Sequence, residues 1–597
     1  MVVFKSAYPS VEIAKEPFGD RLLNALWTGA VKNPTKKALI NAENNTIGIT
    51  YGELYLTSLS VAAFLEERHF GHGDIACLVL PNCWQWVPIF TGCSLQGGAI
   101  SGASVLFTDF LGFSEMFENF LEVMGSDIGF RDVPETYEGL LAECSRGLLV
   151  LGRGSSGFLE PTEAPRVPND LRSPRNPTGN LGNTAVWWSP GSSGGFGTPW
   201  DFRRWKSTGH RSVPDTKVSD ELERQFLDSK SKIVFCADSS LDRVLKAVKN
   251  CPKIRTIVVV DTPGSSVQYS FGIHRFSDVL KTPPARGVPK KDIDVKRDIL
   301  ILPYSSGTTG SPKGVMISHK NFGTMLNIAT DHLENHVFKD YGFTLEDENH
   351  PAIAKYNLKS LEVVVSGAAP AGKDICDEVQ KRHPNIKHIL QGYGMTEISM
   401  ASHLPSAKDY KFGSVGKTES LTETKIVDVE TKKELDVGQK GEILVRGPTV
   451  MLGYLNRPQA TAETIDDDGW LHTGDIGYVE QDGSLFIVDR LKELIKVKGL
   501  QVPPAELEDL LLSHPEIRDV AVIGVPDPAA GEVPKAFVVR ANDRLTEKQV
   551  QEFVKEKVAH YKQLKGGVEF IDEIPKSAAG KILRRFLRDR EASKSKL

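Results

Sequence analysis

Apolar positions in residues 49 to 67, ITYGELYLTSLSVAAFLEE, recur at helical spacing, and the next apolar run, in DIACLVLPN, is short and ended by Pro-Asn. That order predicts a helix followed by a buried strand, an αβ unit within 49 to 104. Strand-like runs recur at Ile233 to Cys236, Thr256 to Val260 and Asp298 to Pro303. Helical or loop material separates them, which favours an α/β domain. After a further strand at Leu485 to Val488 the pattern changes, and from about Asp489 it becomes compact α+β. Pro504 opens a predicted helix with Leu507, Leu510 and Leu511 on one face, and DVAVIGV and KAFVVR read as strands. Thr546 to Gln549 has the capping-box form before a helix bearing Val550, Phe553, Val554 and Val558. This is a second, smaller domain.

Residues 110 to 219 break the alternation. From Arg153 to Pro214 the chain is dense in Gly, Ser, Pro and Arg, and holds four of the eight tryptophans without a sustained period. Two readings stand: a flexible insertion, or translated non-coding sequence from a faulty gene model. The uncharged run Ile75 to Thr108 is interrupted by Pro81, Asn82, Gln85, Pro88 and Gln96, so it predicts strand, turn and buried helix and no transmembrane span.

At 597 residues the chain is too long for one ordinary core. A net charge of -5 excludes a nucleic-acid-coating protein, and bulk charge names no partner. Seven scattered cysteines without a C-x-x-C pair, and no secretory signal at the start, argue for a reducing compartment and against a structural zinc. Ser595-Lys596-Leu597 is the tripeptide read by the peroxisomal import receptor, and it follows a polar stretch expected to be exposed. Peroxisomal localisation is the expectation.

The stretch YSSGTTGSPKGV, Tyr304 to Val315, has the composition of a phosphate cradle. It fails the Walker pattern, because Pro312 precedes Lys313 and Gly314 stands where the magnesium-binding hydroxyl belongs. Val315 to Ile317 look like a strand, with a helix starting only near Ser318. The remaining reading is a loop between strands, whose backbone N–H groups, hydroxyls and Lys313 converge on an anion.

YSSGTTGSPKGV resembles the phosphate signature of the acyl-adenylate-forming (AMP-binding) superfamily, in its 4-coumarate:CoA ligase and firefly luciferase-like branch. Further similar stretches follow in order: SGAAPAGKD (366 to 374), QGYGMTE (391 to 397), GEILVRGPTVMLGYLNRP (441 to 458), GWLHTGDIGYVEQDG (469 to 483), DRLKELIKVKGLQVPPAELE (489 to 508) and PKSAAGKILRR (575 to 585). The resemblance implies a large adenylate-forming domain over 1 to 488, built of several subdomains with mixed sheets. A hinge at 489 to 492 and a small, mobile α+β domain over 493 to 597 complete it. It also implies that a family segment is missing near 338 to 350, where only NHVFKDYGFTLEDENHP remains. His332 and His336, four apart on the predicted helix, are expected to be solvated.

The implied reaction joins a carboxylic acid to CoA through an acyl-AMP, with ATP, CoA and Mg2+ as substrates and metal and no tightly bound organic cofactor. By resemblance Ser305, Ser306, Gly307, Thr308, Thr309 and Lys313 hold the β- and γ-phosphates. Tyr393 offers a face to adenine, Thr396 a hydroxyl to the α-phosphate, and Glu397 a carboxylate to magnesium. Ala369, Gln391 and Gly392 line the nucleotide pocket, Asp475 accepts the ribose hydroxyls with Arg490 beside it, and Lys492 and Gln501 lie near AMP. Lys581 is the expected adenylation lysine and Lys496 the thioesterification lysine, with Lys498 and Gly499 along CoA. Two lysines on opposite faces of one domain imply that the domain turns between half-reactions. The substrate class is an aromatic or fatty acid. Alternatives are a luciferase-like adenylating oxygenase and a catalytically impaired nucleotide-binding remnant; a carrier-linked peptide-synthetase module is disfavoured, since no carrier domain follows Lys581.

Overall fold

Along each central strand, alternate residues belong to different cores. Ala76, Leu78, Ile233, Phe235 and Val258 pack with helices Phe18–Lys32, Tyr51–Glu67 and Trp86–Leu95, while Cys77, Val79, Val234, Cys236 and Val259 pack with Leu222, Phe226 and Val244 on the other side. The period-two geometry of a strand sends successive side chains to opposite faces, so apolar runs without alternation build a sheet covered on both sides. The computed structural model describes residues 3–6, 8–41, 48–81, 83–102, 185–187, 215–260, 272–285, 287–305, 312–338, 362–367, 373–491, 493–498, 500–542, 544–576 and 582–594.

This sheet runs in the order Tyr304–Ser305, Lys313–Ser318, Ile299–Ile301, Ala99–Gly102, Ile75–Val79, Ile233–Ala237, Thr256–Val260, Ile273–Arg275, with Gly453–Tyr454 beside Lys313–Ser318. From Ile299–Ile301 onward the pairs are parallel. The uncharged run resolves into strand Ile75–Val79, helix Trp86–Leu95 and strand Ala99–Gly102. Among the described residues no helix is long and apolar enough to cross a membrane. A second, antiparallel sheet joins Phe4–Lys5, Glu423–Val427, Gly441–Arg446, Leu471–Val479 and Leu485–Arg490. Val363–Ser366 and His388–Gln391 form a parallel pair.

The C-terminal sheet orders Leu500–Val502, Ile495–Val497, Gly531–Arg540 and Ile517–Asp527, with Val568–Phe570 parallel to Gly531–Arg540. One face, through Val520, Val522, Ala536 and Val538, packs on helices Pro504–Leu512 and Glu547–Lys555. The other, through Ala521, Ile523 and Phe537, packs on Leu587 of helix Arg584–Lys594. The molecule is thus mixed α/β with a large N-terminal domain and a C-terminal domain that has its own core.

Within 110 to 219, helix Asp215–Ser229 takes the last five residues, and Ala185–Trp187 pairs as a strand with Lys37–Asn41. An apolar run of three residues is too short to show a period. His332 is not solvated: it is 2% exposed, with Nδ1 2.8 Å from Glu419 Oε1 and its ring edge-on to Tyr8. His336 is half-buried against the same tyrosine. Helical spacing could not reveal that the N-terminal segment covers this face. The remnant at 339 to 350 lies outside the described residues, as do Ser595 to Leu597.

Candidate active site

The phosphate-loop stretch is bounded by strands Tyr304–Ser305 and Lys313–Ser318, antiparallel, with Ser305 opposite Lys313. Ser318 caps the following helix, His319–His332, through a reciprocal pair with Asn321. A strand follows Lys313, and the helix begins only after it, so the Walker arrangement of a helix opening at the lysine is absent. Ser306, Gly307, Thr308 and Thr309 lie outside the described residues, as do Ala369, Lys492, Gly499 and Lys581.

Lys313 lies with its ammonium 4.3 Å from the centre of the Tyr454 ring. A cation over an aromatic face is attracted by the ring quadrupole. Tyr454 reaches this position because Gly453–Tyr454 pairs with Val315 and Met316. Its hydroxyl donates to Glu397 Oε1 at 2.8 Å. Tyr454 thus joins the lysine and the carboxylate, a part the sequence reading missed; the only signal was its place within the quoted GYLNRP.

Glu397 sits in the single turn Thr396–Ile398, with Thr396 and Glu397 both buried. Met451 N donates to its carbonyl at 2.9 Å, and Ser399, left-handed at φ 63°, donates through Oγ to Thr449 O. Upstream, Gln391 ends a strand paired with Ser366, and Gly392 N donates to Ser366 O. Tyr393 exchanges backbone hydrogen bonds with His403, so the segment doubles back on itself. Gly394 lies where it does because a Cβ there would come within 1.8 Å of Met400 O.

Tyr393 is 9% exposed, and its hydroxyl donates to Asp475 Oδ2 at 2.7 Å. Little of its ring face is open. Asp475 is itself 5% exposed and stands opposite Arg490 on paired strands, with Arg490 Nε 3.2 Å from Oδ1. Asp475 thus takes a phenol on one oxygen and a guanidinium beside the other.

Burial, then the charge of Asp475, pushes the Tyr393 phenol well above its ordinary range. Burial, then Glu397, does the same to Tyr454. Both therefore stay protonated and act as donors. Burial pulls the Arg490 guanidinium down, but Asp475 and Glu493 more than offset this and hold it up. His403, beneath Tyr393, is pushed down to about 3 by burial and is neutral.

Magnesium fits one part of this arrangement. It keeps waters and is usually held by one or two carboxylates together with substrate phosphates. Glu397 supplies one buried carboxylate whose Oε2 has no protein partner among the described residues. No group of three or more metal-ligating side chains occurs among those residues.

Three expected residues lie on or beside an edge strand of the C-terminal sheet. Lys496 is exposed between two buried neighbours, with its backbone N on Glu532 Oε2 and Gln501 as strand partner. Lys498 is exposed and left-handed at φ 51°.

The model of the AMP-binding enzyme family matches residues 26–110, 213–347 and 324–455, and that of the AMP-binding enzyme C-terminal domain matches 506–581. Residues 111 to 212 fall between matched segments. A luciferin 4-monooxygenase of Nipponoluciola cruciata is 38% identical over 430 positions, covering 62% of this chain and 78% of the relative. A 4-coumarate–CoA ligase of Petroselinum crispum is 39% identical, covering 63% and 78%. The first alignment has 430 positions, but 62% of 597 residues is about 370, so about 60 positions of that relative face no residue here. Among solved structures, an anthranilate CoA ligase in complex with anthranoyl-AMP superposes with TM-score 0.67 at 19% identity, covering 98% of this chain and 99% of that one. ATP-bound MatB from Rhodopseudomonas palustris gives 0.64 at 20%, covering 96% and 98%. At such identities the likeness is one of fold.

Proposed function

This chain belongs to the AMP-binding enzyme family, and on that premise we propose that it is an ATP-dependent acyl-CoA ligase acting on an aromatic or fatty carboxylic acid. The observation that carries the reading is the convergence of two linked sets. Lys313, Tyr454 and Glu397 form one, and Tyr393, Asp475 and Arg490 the other, with Thr396 between them.

In the first half-reaction a carboxylate oxygen bonds to the α-phosphorus of ATP, and the bond to the β-phosphate oxygen breaks, releasing pyrophosphate. In the second, the CoA sulfur bonds to the acyl carbon and AMP leaves with the ester oxygen. Ser305, Ser306, Gly307, Thr308, Thr309 and Lys313 grip the departing pyrophosphate, and Thr396 binds the α-phosphate. Asp475 accepts ribose hydroxyls, held by Arg490 and Tyr393. Ala369, Gln391, Gly392, Lys492 and Gln501 complete the nucleotide pocket. Glu397 would hold a magnesium ion, which would offset phosphate charge when bound. Lys581 serves adenylation; Lys496, with Lys498 and Gly499 along CoA, serves thioester formation. Charge-stabilising groups already aimed at the phosphates need no reorganisation during reaction. The tail Ser595-Lys596-Leu597 supports import into the peroxisome.

The test is release of AMP and pyrophosphate by the full chain with ATP, Mg2+, CoA and 4-coumarate, dodecanoate or luciferin. Lys581→Ala should abolish acyl-AMP formation and leave thioester formation from supplied acyl-AMP within a few-fold. Equal loss of both would refute the division of labour. A second reading, a nucleotide-binding remnant, is favoured by the roughly 60 unmatched positions. A buried segment of that size contributes more than the 5–15 kcal/mol, roughly, by which folds are stable. A remnant gives no AMP with any acid. Light on luciferin addition would favour the oxygenase instead.

A further inference from the structure

Helix Asp215–Ser229 carries an acid where its own dipole opposes one. Asp228 is its penultimate residue, no basic side chain lies in the last turn, and the aligned peptide dipoles make that end negative. Local preference therefore disfavours a carboxylate here, and its partners are remote in sequence. Asp228 Oδ2 accepts the Tyr304 hydroxyl at 2.9 Å, Oδ1 lies 3.2 Å from Arg457 Nη2, and the Asp228 carbonyl accepts Asn456 Nδ2 at 3.2 Å. Burial, then the charge of Asp228, raises the Tyr304 phenol well above its ordinary range, so it stays a donor. The Arg457 side chain is half-exposed, and an ion pair in that setting adds little stability. What the arrangement does is hold two segments in place.

Those segments flank one residue. Tyr304 stands opposite Gly314 on paired strands and its ring lies across that glycine: a Cβ there would come within 3.2 Å of Tyr304 Cζ on one side and 3.4 Å of Leu455 Cβ on another. Leu455 N donates to Gly314 O at 2.8 Å, and Asn456, left-handed at φ 54°, follows it directly with Arg457. Arg457 O accepts Thr461 Oγ1, which in turn accepts Tyr454 N at 2.9 Å. Asp228 thus grips both arms of a clamp on Gly314, whose chain neighbour is Lys313. One arm leads to Tyr454, whose ring faces the Lys313 ammonium. The clamp has a firm base, since Leu222 and Phe226 of the same helix pack on the central sheet.

We propose that Asp228 is a positioning residue for the phosphate grip: it clamps Gly314 between Tyr304 and the turn after Tyr454, and so fixes Lys313. The proposal rests on the ligase reading above, in which Lys313 binds the β- and γ-phosphates. AMP lacks those phosphates, so misplacing Lys313 weakens the binding of ATP and leaves that of AMP as it was.

The test is calorimetric binding of ATP with Mg2+, and of AMP, to the full chain in the absence of a carboxylic acid. Asp228→Ala should weaken ATP about tenfold, the worth of one hydrogen bond to a charged group, and AMP by less than about twofold. Asp228→Asn keeps an acceptor for Tyr304 and loses the charge facing Arg457. It should show a smaller loss, again for ATP alone, and it carries the test should Asp228→Ala not fold. Val315 N and Leu455 N donate to Pro303 O and Gly314 O, and their amide hydrogen exchange should quicken roughly fivefold in Asp228→Ala, with Tyr393 N and His403 N unchanged. Equal weakening of ATP and AMP, or an unchanged ATP affinity, overturns the proposal. If the parent chain binds no ATP, the ligase reading is what has failed, and unchanged exchange at Val315 and Leu455 then overturns the clamp on its own.

Discussion

Tyr454 keeps a lysine and a glutamate in one site without letting them pair directly. Its ring takes Lys313 and its hydroxyl takes Glu397. Tyr454→Phe keeps the ring and removes the donor, so a buried carboxylate loses its only protein hydrogen bond among the described residues. We expect a stability loss of about 1–3 kcal/mol from the unsatisfied carboxylate, read as a shifted urea midpoint. We also expect a roughly tenfold weaker Mg2+ dependence of pyrophosphate exchange, since about 1.4 kcal/mol of lost orientation is a factor of ten. A Mg2+ titration that overlays the parent's would show that Tyr454 does not orient Glu397. At this scale Lys313, Glu397, Asp475 and Arg490 were legible in the sequence, each inside a motif. Tyr454 was not, because a tyrosine in an apolar run reads as core until a second strand brings it to the lysine. His332 misled for the same reason: its partner Glu419 and neighbour Tyr8 are remote in sequence.

Among elements, the three capped helices Tyr51–Glu67, His319–His332 and Glu547–Lys555 show how far local rules reach. Thr50 with Glu53, Ser318 with Asn321 and Thr546 with Gln549 each exchange side-chain and backbone hydrogen bonds. These starts depend on four adjacent residues, so the sequence discloses them. The return of the chain from Tyr393 to His403 does not work this way. It brings Gly394 against the Met400 carbonyl, and it sets Tyr393 towards Asp475 and Glu397 towards Tyr454 at once. Gly394→Ala must push this return apart. The expected result is a melting temperature lowered by several degrees, with overpacking costing about 1–3 kcal/mol. AMP binding should weaken at least tenfold, read by calorimetry. Affinity within twofold of the parent would mean that the return tolerates the shift and does not set the site.

For the whole molecule, the chain builds separate cores on either side of residues 489 to 493, and Asp489 accepts a hydrogen bond from Ala505 N beyond that junction. Helix Arg584–Lys594 ends with Lys594 paired to Glu569, and the last three residues follow it. A fluorescent fusion to the N-terminus should collect in peroxisomes, and removing Ser595 to Leu597 should release it to the cytosol. The same distribution with and without the tripeptide would end the import proposal.

The sequence by itself determined the α/β alternation, the compact second domain and the order of the motifs, because period, caps and loop composition are set by neighbours along the chain. It also named Lys313, Glu397, Asp475 and Arg490 of the candidate site, each within a motif. Only the tertiary structure decided which of those groups meet. Tyr454 joins Lys313 to Glu397, Tyr393 joins the stretch 391 to 398 to Asp475, and Arg584 joins Glu493 to Glu508. Those contacts link residues tens to more than a hundred positions apart, and no local preference encodes them. They follow from strand register and from the need of each buried charge for a partner.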